Sequence, residues 1–243
     1  MCIRDSLHSV YFIGIGGIGM SAIARYFHAM GIPVAGYDKT ETSLTKQLVA
    51  EGIAVTYQDI PAQMGDQFVD KRTAVVFTPA VPKDLEILKF FQEQGNIIAK
   101  RSEMLGLITQ GTFSIAVAGT HGKTTTSSMV AHMLTHIKKG CNAFLGGITS
   151  NYNSNVILDE QSNTTVVEAD EFDRSFLTLD PNIAVVTSTD ADHLDIYGEH
   201  TELLDSFQMF VNKLPENGVL ILRNGLNLVH KNIITYGIEE DAR

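Results

Sequence analysis

The chain has 243 residues, 44% of them hydrophobic and 19% charged, which is long enough for two modest domains and too apolar for a disordered protein. Its 18 Lys and Arg residues against 28 Asp and Glu residues give a net charge of −10, which argues against non-specific binding of nucleic acid and against a basic membrane-surface domain. No apolar run approaches the roughly 20 residues that span a bilayer, and the two cysteines, Cys2 and Cys141, are typical of a reduced cytoplasmic protein without a disulfide framework.

Short apolar runs alternate with amphipathic stretches in the first half of the chain. The pattern predicts strands at residues 10–15, 34–37 and 74–78, a helix at residues 18–30, and a second helix with Leu85, Leu88 and Phe91 on one face. This βαβ order favours a Rossmann-like parallel sheet with helices on both faces over residues 7–110. The leader, residues 1–6, does not fit the pattern, and we expect it to be non-native or disordered.

The same alternation restarts after Gln110 and Gly111, where we place a domain boundary. It predicts strands at residues 113–118, 164–167, 183–187, 219–222 and 233–236. It also predicts a later helix around residues 203–214 and an earlier helix whose core face carries Met129, Val130, Met133, Leu134 and Ile137. Residues 142–155 are rich in Gly and Asn and are expected to form a loop. Residues 111–243 are therefore predicted to form a second α/β domain.

A glycine-rich loop follows the first predicted strand and opens the first predicted helix. Gly14, Gly16, Gly17 and Gly19 match the pattern G-x-G-x-x-G, in which glycine allows a tight turn and a close approach of backbone amides to a diphosphate at the helix N-terminus. Asp38 ends the second strand, where such folds place an acid that binds ribose. The loop alone does not separate NAD from another diphosphate ligand, and a tight turn without a ligand is the alternative.

A second glycine-rich loop follows the strand at residues 113–118 and begins the next helix. Its sequence predicts an ATP site formed by Gly119, Thr120, His121, Gly122, Lys123, Thr124 and Thr125. Lys123 is placed to reach the β- and γ-phosphates, and the Thr124 hydroxyl is placed to ligate Mg²⁺. Val117 stands where the longer P-loop has glycine, so this is a shorter variant, and His121 is either a phosphate contact or a hydrogen-bonded spacer. Two phosphate loops argue against a simple dehydrogenase and favour one site for a nucleotide-linked substrate and one for ATP.

Acidic residues follow two of the later predicted strands. Glu168 ends an apolar strand, and in an open parallel sheet an acid there is well placed to hold the Mg²⁺ of a nucleotide on the neighbouring loop. Asp170 and Glu171 either support the metal ligands from behind or lie in a solvated turn. His193 follows the next strand among several acids and is predicted as a further ligand of a divalent cation, with those acids orienting its ring.

Several ordered motifs together are far more specific than either loop alone. They are HSVYFIGIGGIGMSAIA, GTHGKTTT, EADEFDRSFL and DADHLD, with KRSEML at residues 100–105. In this set and order the chain resembles the Mur ligase family over essentially everything after the leader. The resemblance implies a Rossmann-like domain that binds the UDP of the substrate, a central ATP-binding domain, and a C-terminal domain that we expect to be absent from this chain. It also implies a bacterial, cytoplasmic enzyme of peptidoglycan synthesis.

The resemblance further implies an activity and roles for individual residues. The activity is an ATP-dependent ligation of L-alanine to UDP-N-acetylmuramate through an acyl phosphate, and we expect this chain by itself to bind but not to ligate. Lys123, Glu168 and His193 are implied as catalytic residues, with Thr124, Glu168 and His193 as ligands of Mg²⁺. The first glycine loop would face the substrate diphosphate, with Asp38 near the uridine.

One position departs from the family pattern, and two other functions remain open. Ser188 stands where the family commonly has Asn, so a hydrogen bond made by that Asn is not carried over. The alternative enzyme is a sister Mur ligase that adds a whole peptide to the same sugar nucleotide. The alternative from another class is a non-catalytic nucleotide-binding module, which would need no second metal site.

Overall fold

A computed structural model describes residues 7–190 and 200–237 of the chain. The chain divides into two compact units between Met104 and Leu105. Each unit contains one sheet of its own.

The first unit is the predicted Rossmann-like parallel sheet. Its elements are β1 (Ser9–Ile13), α1 (Ile18–Ala29), β2 (Val34–Tyr37), α2 (Ser43–Ala50), β3 (Ala54–Thr56), β4 (Thr73–Phe77), α3 (Glu86–Gln94) and β5 (Ile98–Lys100). The strand order is β3-β2-β1-β4-β5, and every pairing is parallel. The chain reverses its direction of winding beside β1, and ligands of open α/β sheets bind at such a switch point.

The central position of β1 explains its composition. All five of its residues are buried, because parallel strands on both sides and packing on both faces leave no solvent-facing positions. Tyr11 packs against Phe68 and Phe91, with ring centroids 5.8 and 5.3 Å apart. This aromatic cluster fixes the strand whose carboxyl end carries the first glycine loop.

Helix α4 (Arg101–Gln110) occupies the stretch between the two sheets. The unit boundary lies within this helix, whereas the sequence interpretation placed the domain boundary after it, at residues 110 and 111. Most of the helix belongs to the second unit because its later turns pack there, for example where the Thr109 hydroxyl accepts a hydrogen bond from the Asp180 amide.

The second unit is a seven-stranded α/β sheet. Its elements are β6 (Phe113–Ala118), α5 (Lys123–His136), β7 (Asn142–Thr149), β8 (Ser154–Ile157), β9 (Thr164–Glu168), a 3₁₀ segment (Phe172–Thr178), β10 (Ile183–Val186), α6 (His200–Val211), β11 (Val219–Arg223) and β12 (Ile233–Tyr236). The order is β12-β11-β10-β6-β9-β7-β8, parallel except for the β7–β8 pair. The strand β6 is central, with β9 and β10 as its neighbours, so the carboxyl ends of all three strands meet around the second glycine loop.

Two predictions for this unit were wrong. Residues 142–155 were expected to form a loop, but most of them form the β7–β8 hairpin, since β7 gains parallel pairing with β9 that local composition does not reveal. The predicted core face of α5 was also wrong in part, because Met129, Met133 and Ile137 are exposed. The sheet instead covers the side of the helix that carries Ala131, where Val130 and Leu134 pack against the core. The predicted apolar face and the buried face share residues 130 and 134, so residue spacing alone does not separate them.

Within the described part of the chain, every helix is too short or too polar to cross a bilayer.

Candidate functional site

The first glycine loop is a tight connection between β1 and α1. The backbone amides of Gly14 and Ile15 both donate to the carbonyl oxygen of Tyr37, at 2.7 and 3.0 Å. Gly17 is the N-cap of α1 and leaves the helix N-terminus without a capping side chain. The loop therefore presents the positive end of a helix dipole at the carboxyl edge of the sheet, which favours an anion.

Asp38 lies against this loop rather than away from it. Its Oδ2 accepts a hydrogen bond from the amide of Gly16 at 2.7 Å, and its Oδ1 accepts one from the amide of Thr40 at 3.1 Å. The carboxylate thus fixes the loop conformation and the start of the segment after β2. A cavity of about 450 Å³ opens beside it and is lined by Gly14, Tyr37, Thr78 and other residues at the ends of β1, β2 and β4.

Arg101 reaches the same loop, and no spacing rule predicted it. If Gly19 carried a Cβ atom, that atom would lie only 2.9 Å from Nη1 of Arg101. The guanidinium therefore lies across the first turn of α1, and the absence of a side chain at residue 19 makes room for it. An arginine beside a helix N-terminus adds to the positive potential there, and guanidinium groups bind phosphate well.

The second glycine loop connects β6 to α5 in a conformation that only glycine accommodates. Gly119 has φ +133°, and a Cβ atom there would overlap the Thr187 hydroxyl. Gly122 has φ +82° and is the N-cap of α5. The loop therefore packs closely against the segment after β10 and delivers Lys123 and Thr124 to the first turn of the helix.

Lys123 is held by three acceptors. Its Nζ donates to the carbonyl oxygen of Gly119 at 2.8 Å and to both carboxylate oxygens of Glu171 at 2.9 and 2.8 Å. The side chain of Glu171 is 0% exposed and that of Lys123 is 14% exposed. The structure thus excludes the solvated turn considered for Glu171 and makes this acid the buried counter-ion of the loop lysine.

Thr124 pairs with the other acid of the same segment. Its hydroxyl donates to Oε1 of Glu168 at 2.9 Å, while Oε2 of Glu168 accepts from the amide of Gly146 at 2.8 Å. Glu168 ends β9, the strand next to β6, so the predicted convergence of Lys123, Thr124 and Glu168 is what the strand order produces. Their hydroxyl and carboxylate oxygens are the ligand type that Mg²⁺ prefers.

Two hydroxyl residues after β10 brace the other side of the loop. Ser188 Oγ accepts from the amide of His121 at 2.8 Å and lies 2.9 Å from the hydroxyl of Thr120. Thr187 donates to the carbonyl oxygens of Ala118 and His121. Ser188 therefore makes hydrogen bonds to the loop. The His121 ring is exposed, and its Nε2 atom lies 4.0 Å from Oδ2 of Asp190.

The family models match the chain in two consecutive pieces. The model of the Mur ligase family catalytic domain matches residues 9–112, and that of the Mur ligase middle domain matches residues 117–243, more than half of the chain. The chain belongs to the Mur ligase family.

Curated Mur ligases and solved structures are similar to this chain along most of its length. A UDP-N-acetylmuramate–L-alanine ligase of Flavobacterium psychrophilum is 52% identical over 98% of this chain and 52% of its own length. One of Phocaeicola vulgatus is 50% identical over 92% of the chain and 49% of its own length. The chain spans about half the length of the curated relatives that it matches.

Two solved Mur ligase structures have the same fold. A UDP-N-acetylmuramate–alanine ligase of Thermotoga maritima matches with a TM-score of 0.80 and 29% identity, over 96% of this chain and 53% of that chain. A UDP-N-acetylmuramate:L-alanyl-gamma-D-glutamyl-meso-diaminopimelate ligase of Neisseria meningitides matches with a TM-score of 0.79 and 26% identity, over 91% and 72%. The structural likeness thus includes enzymes that add an amino acid and enzymes that add a peptide.

Some predicted Mur ligase residues are not brought to the lysine. His193 lies outside the described residues. Thr125 is exposed and lines a cavity of about 340 Å³ together with Thr124, Ser128, His132 and Tyr152. Among residues 7–190 and 200–237, no three His, Cys, Asp or Glu side chains converge as a metal site.

Proposed function

We propose that this chain carries the nucleotide-binding parts of a bacterial cytoplasmic ligase that joins L-alanine to UDP-N-acetylmuramate in peptidoglycan synthesis. The observation that carries the proposal is the pairing of Lys123 and Thr124 with two acids at the end of β9, in a chain about 50% identical to ligases of that name. The chain is 50–52% identical to these relatives but 26% identical to the ligase of Neisseria meningitides that is named for a peptide. This difference in identity favours L-alanine over a peptide as the group added.

In this proposal the second loop binds ATP. The Lys123 ammonium would bind oxygens of the β- and γ-phosphates, and the amides at the start of α5 would bind the same anion. Thr124 and Glu168 fit an Mg²⁺ ion, since their oxygens are already 2.9 Å apart and both are hard ligands. His193 is proposed as a further ligand from the family resemblance. When bound, Mg²⁺ would neutralise charge on the phosphates.

The first loop is proposed to bind UDP-N-acetylmuramate. The diphosphate would lie at the N-terminus of α1, where Gly17 is exposed and Arg101, which lies over Gly19, adds a positive charge. The cavity beside Asp38 would take the nucleoside. Asp38 would act mainly by ordering the loop through Gly16, with its contact to the uridine a second role.

The proposed reaction activates a carboxylate before it meets an amine. The lactyl carboxylate of the substrate attacks the γ-phosphorus of ATP, which forms an acyl phosphate and releases ADP. The amine of L-alanine then attacks the acyl carbon, loses a proton, and phosphate leaves. The first step brings two anions together, and Lys123 would lower that repulsion and stabilise charge on the transferring phosphoryl group.

Calorimetric titration of the chain tests the two assignments. We expect it to bind UDP-N-acetylmuramate without a metal and to bind ATP more tightly when Mg²⁺ or Mn²⁺ is present. Glu168→Ala should remove most of the metal dependence of ATP binding and leave the sugar nucleotide unaffected. Tight binding of NAD in place of UDP-N-acetylmuramate would contradict the first assignment. Full metal dependence in Glu168→Ala would remove Glu168 from the metal site.

A further inference from the structure

Glu171 accepts hydrogen bonds from the side-chain ammonium group of Lys123. An ammonium group has three N–H donors. In this structure the three acceptors around Lys123 Nζ are the Gly119 carbonyl oxygen and the two oxygens of Glu171, all within 2.9 Å. A phosphate oxygen can therefore bind Nζ only by displacing one of these acceptors.

The backbone that carries Glu171 is fixed by hydrogen bonds and by the packing of the 3₁₀ segment that follows it. The amide of Arg174 donates to the Glu171 carbonyl oxygen at 2.9 Å, and the amide of Phe176 donates to that of Asp170 at 3.0 Å. Phe176 is buried and stacks on Phe210, with ring centroids 5.1 Å apart. Because the 3₁₀ segment is fixed to the core in this way, the backbone of Glu171 cannot move outward with the lysine.

We propose that Glu171 is the positioning residue of Lys123, and that it sets the affinity of the loop for a triphosphate by competing with the phosphates for the ammonium. Before the nucleotide binds, Glu171 aims Lys123 along the loop toward Gly119. When a triphosphate binds, Nζ exchanges at least one of its bonds for a phosphate oxygen, and the buried carboxylate remains close to that anion. This inference rests on the proposed ATP site.

The variant Glu171→Gln separates charge from shape. Glutamine keeps the volume and one oxygen acceptor for Nζ, but it removes the negative charge that competes with and repels the phosphates. A unit charge close to the phosphates in a partly buried site is only partly screened by solvent and salt, so we expect roughly tenfold tighter ATP binding once it is removed. AMP lacks the β- and γ-phosphates, so its affinity should not change.

Asp170→Asn is the matched control. It removes the same charge one residue away, and Asp170 bonds the amide of Phe172 at 3.2 Å rather than the lysine. The control should leave the ratio of ATP affinity to AMP affinity at the wild-type value. Calorimetry at one ionic strength gives both affinities for each variant, and circular dichroism establishes that each is folded.

A measurement on the wild-type chain covers the case in which Glu171→Gln does not fold. The side-chain ammonium resonance of Lys123, assigned through its loss in Lys123→Arg, should be visible without nucleotide because three hydrogen bonds slow its exchange. ATP should shift it, and AMP should not.

The outcomes separate this inference from the proposed function. A folded wild-type chain that binds no ATP contradicts the ATP site itself. If wild-type binds ATP but Glu171→Gln matches Asp170→Asn, or if Glu171→Gln alters ATP and AMP affinities equally, Glu171 has only a structural role and the inference is overturned. An ammonium resonance that ATP does not shift overturns it as well.

Discussion

The two glycine loops occupy equivalent places in their sheets but differ in what surrounds them. Each follows the middle strand, β1 or β6, and each opens a helix. Around the first loop, a carbonyl and the Asp38 carboxylate bind backbone amides. Around the second loop, two carboxylates bind the side chains of Lys123 and Thr124.

In the proposed function, this difference gives the two loops two different ways of receiving a phosphate. The first loop offers backbone geometry and a helix end, and an arginine from α4 adds charge at its rim. The second loop offers charged side chains that are already paired, so an anion or metal must enter by exchange. A substitution in the first site should therefore change affinity mainly, whereas one in the second should change both affinity and folding stability.

The largest expected effect follows from replacing the loop lysine. Lys123→Met leaves the buried Glu171 carboxylate without its counter-ion, which should lower the free energy of unfolding by about 3–5 kcal/mol. The double variant Lys123→Met with Glu171→Gln should recover most of that loss, because the buried charge is gone. Urea denaturation of the second unit, followed by the change in its circular dichroism, measures both.

The same variants also test whether the sites are separate. Both should lose ATP binding, and in the folded double variant the affinity for UDP-N-acetylmuramate should remain that of the wild type. A double variant as unstable as the single one would mean that the ion pair is not what the loop depends on. A parallel fall in sugar-nucleotide affinity would contradict the division into two sites.

A smaller effect is expected in the first loop. Arg101→Ala should weaken UDP-N-acetylmuramate binding roughly tenfold to a hundredfold, as expected for loss of one hydrogen bond to a charged group, without changing the affinity for ATP. Uridine, which has no phosphate, should bind equally to both proteins. Arg25→Ala is the control, since Arg25 lies on α1 but pairs with Glu51 at 2.7 Å. Equal losses in the two variants would remove Arg101 from the diphosphate site.

Short sequence patterns predicted those elements of the fold whose conformation depends on neighbouring residues in the sequence. The apolar strands and the glycine turns were predictable because burial and positive φ leave a direct mark on composition. Strand β7 was not predictable, since its Gly-rich sequence becomes a strand only by pairing with β9. The exposure of Met129 likewise depends on which of two overlapping stripes the sheet covers.

The residues of the candidate site also fall into those that local sequence predicts and those that depend on contacts distant in sequence. Lys123, Thr124 and Glu168 were predictable because a motif and a strand end specify them. The roles proposed for Glu171 and Arg101 rest on contacts with residues distant in sequence, Glu171 with Lys123 and Arg101 with Gly19. The acid cluster in the sequence made Glu171 a candidate, but only its burial distinguishes a counter-ion from a surface acid.

The most direct test of the two-site account is a pair of calorimetric titrations on the wild-type chain. UDP-N-acetylmuramate is titrated into the chain saturated with ATP and Mg²⁺, and ATP with Mg²⁺ is titrated into the chain saturated with UDP-N-acetylmuramate. We predict that one molecule of each ligand binds per chain and that neither displaces the other. Displacement of either ligand by the other would show a shared site and contradict the assignment of the two loops to different nucleotides.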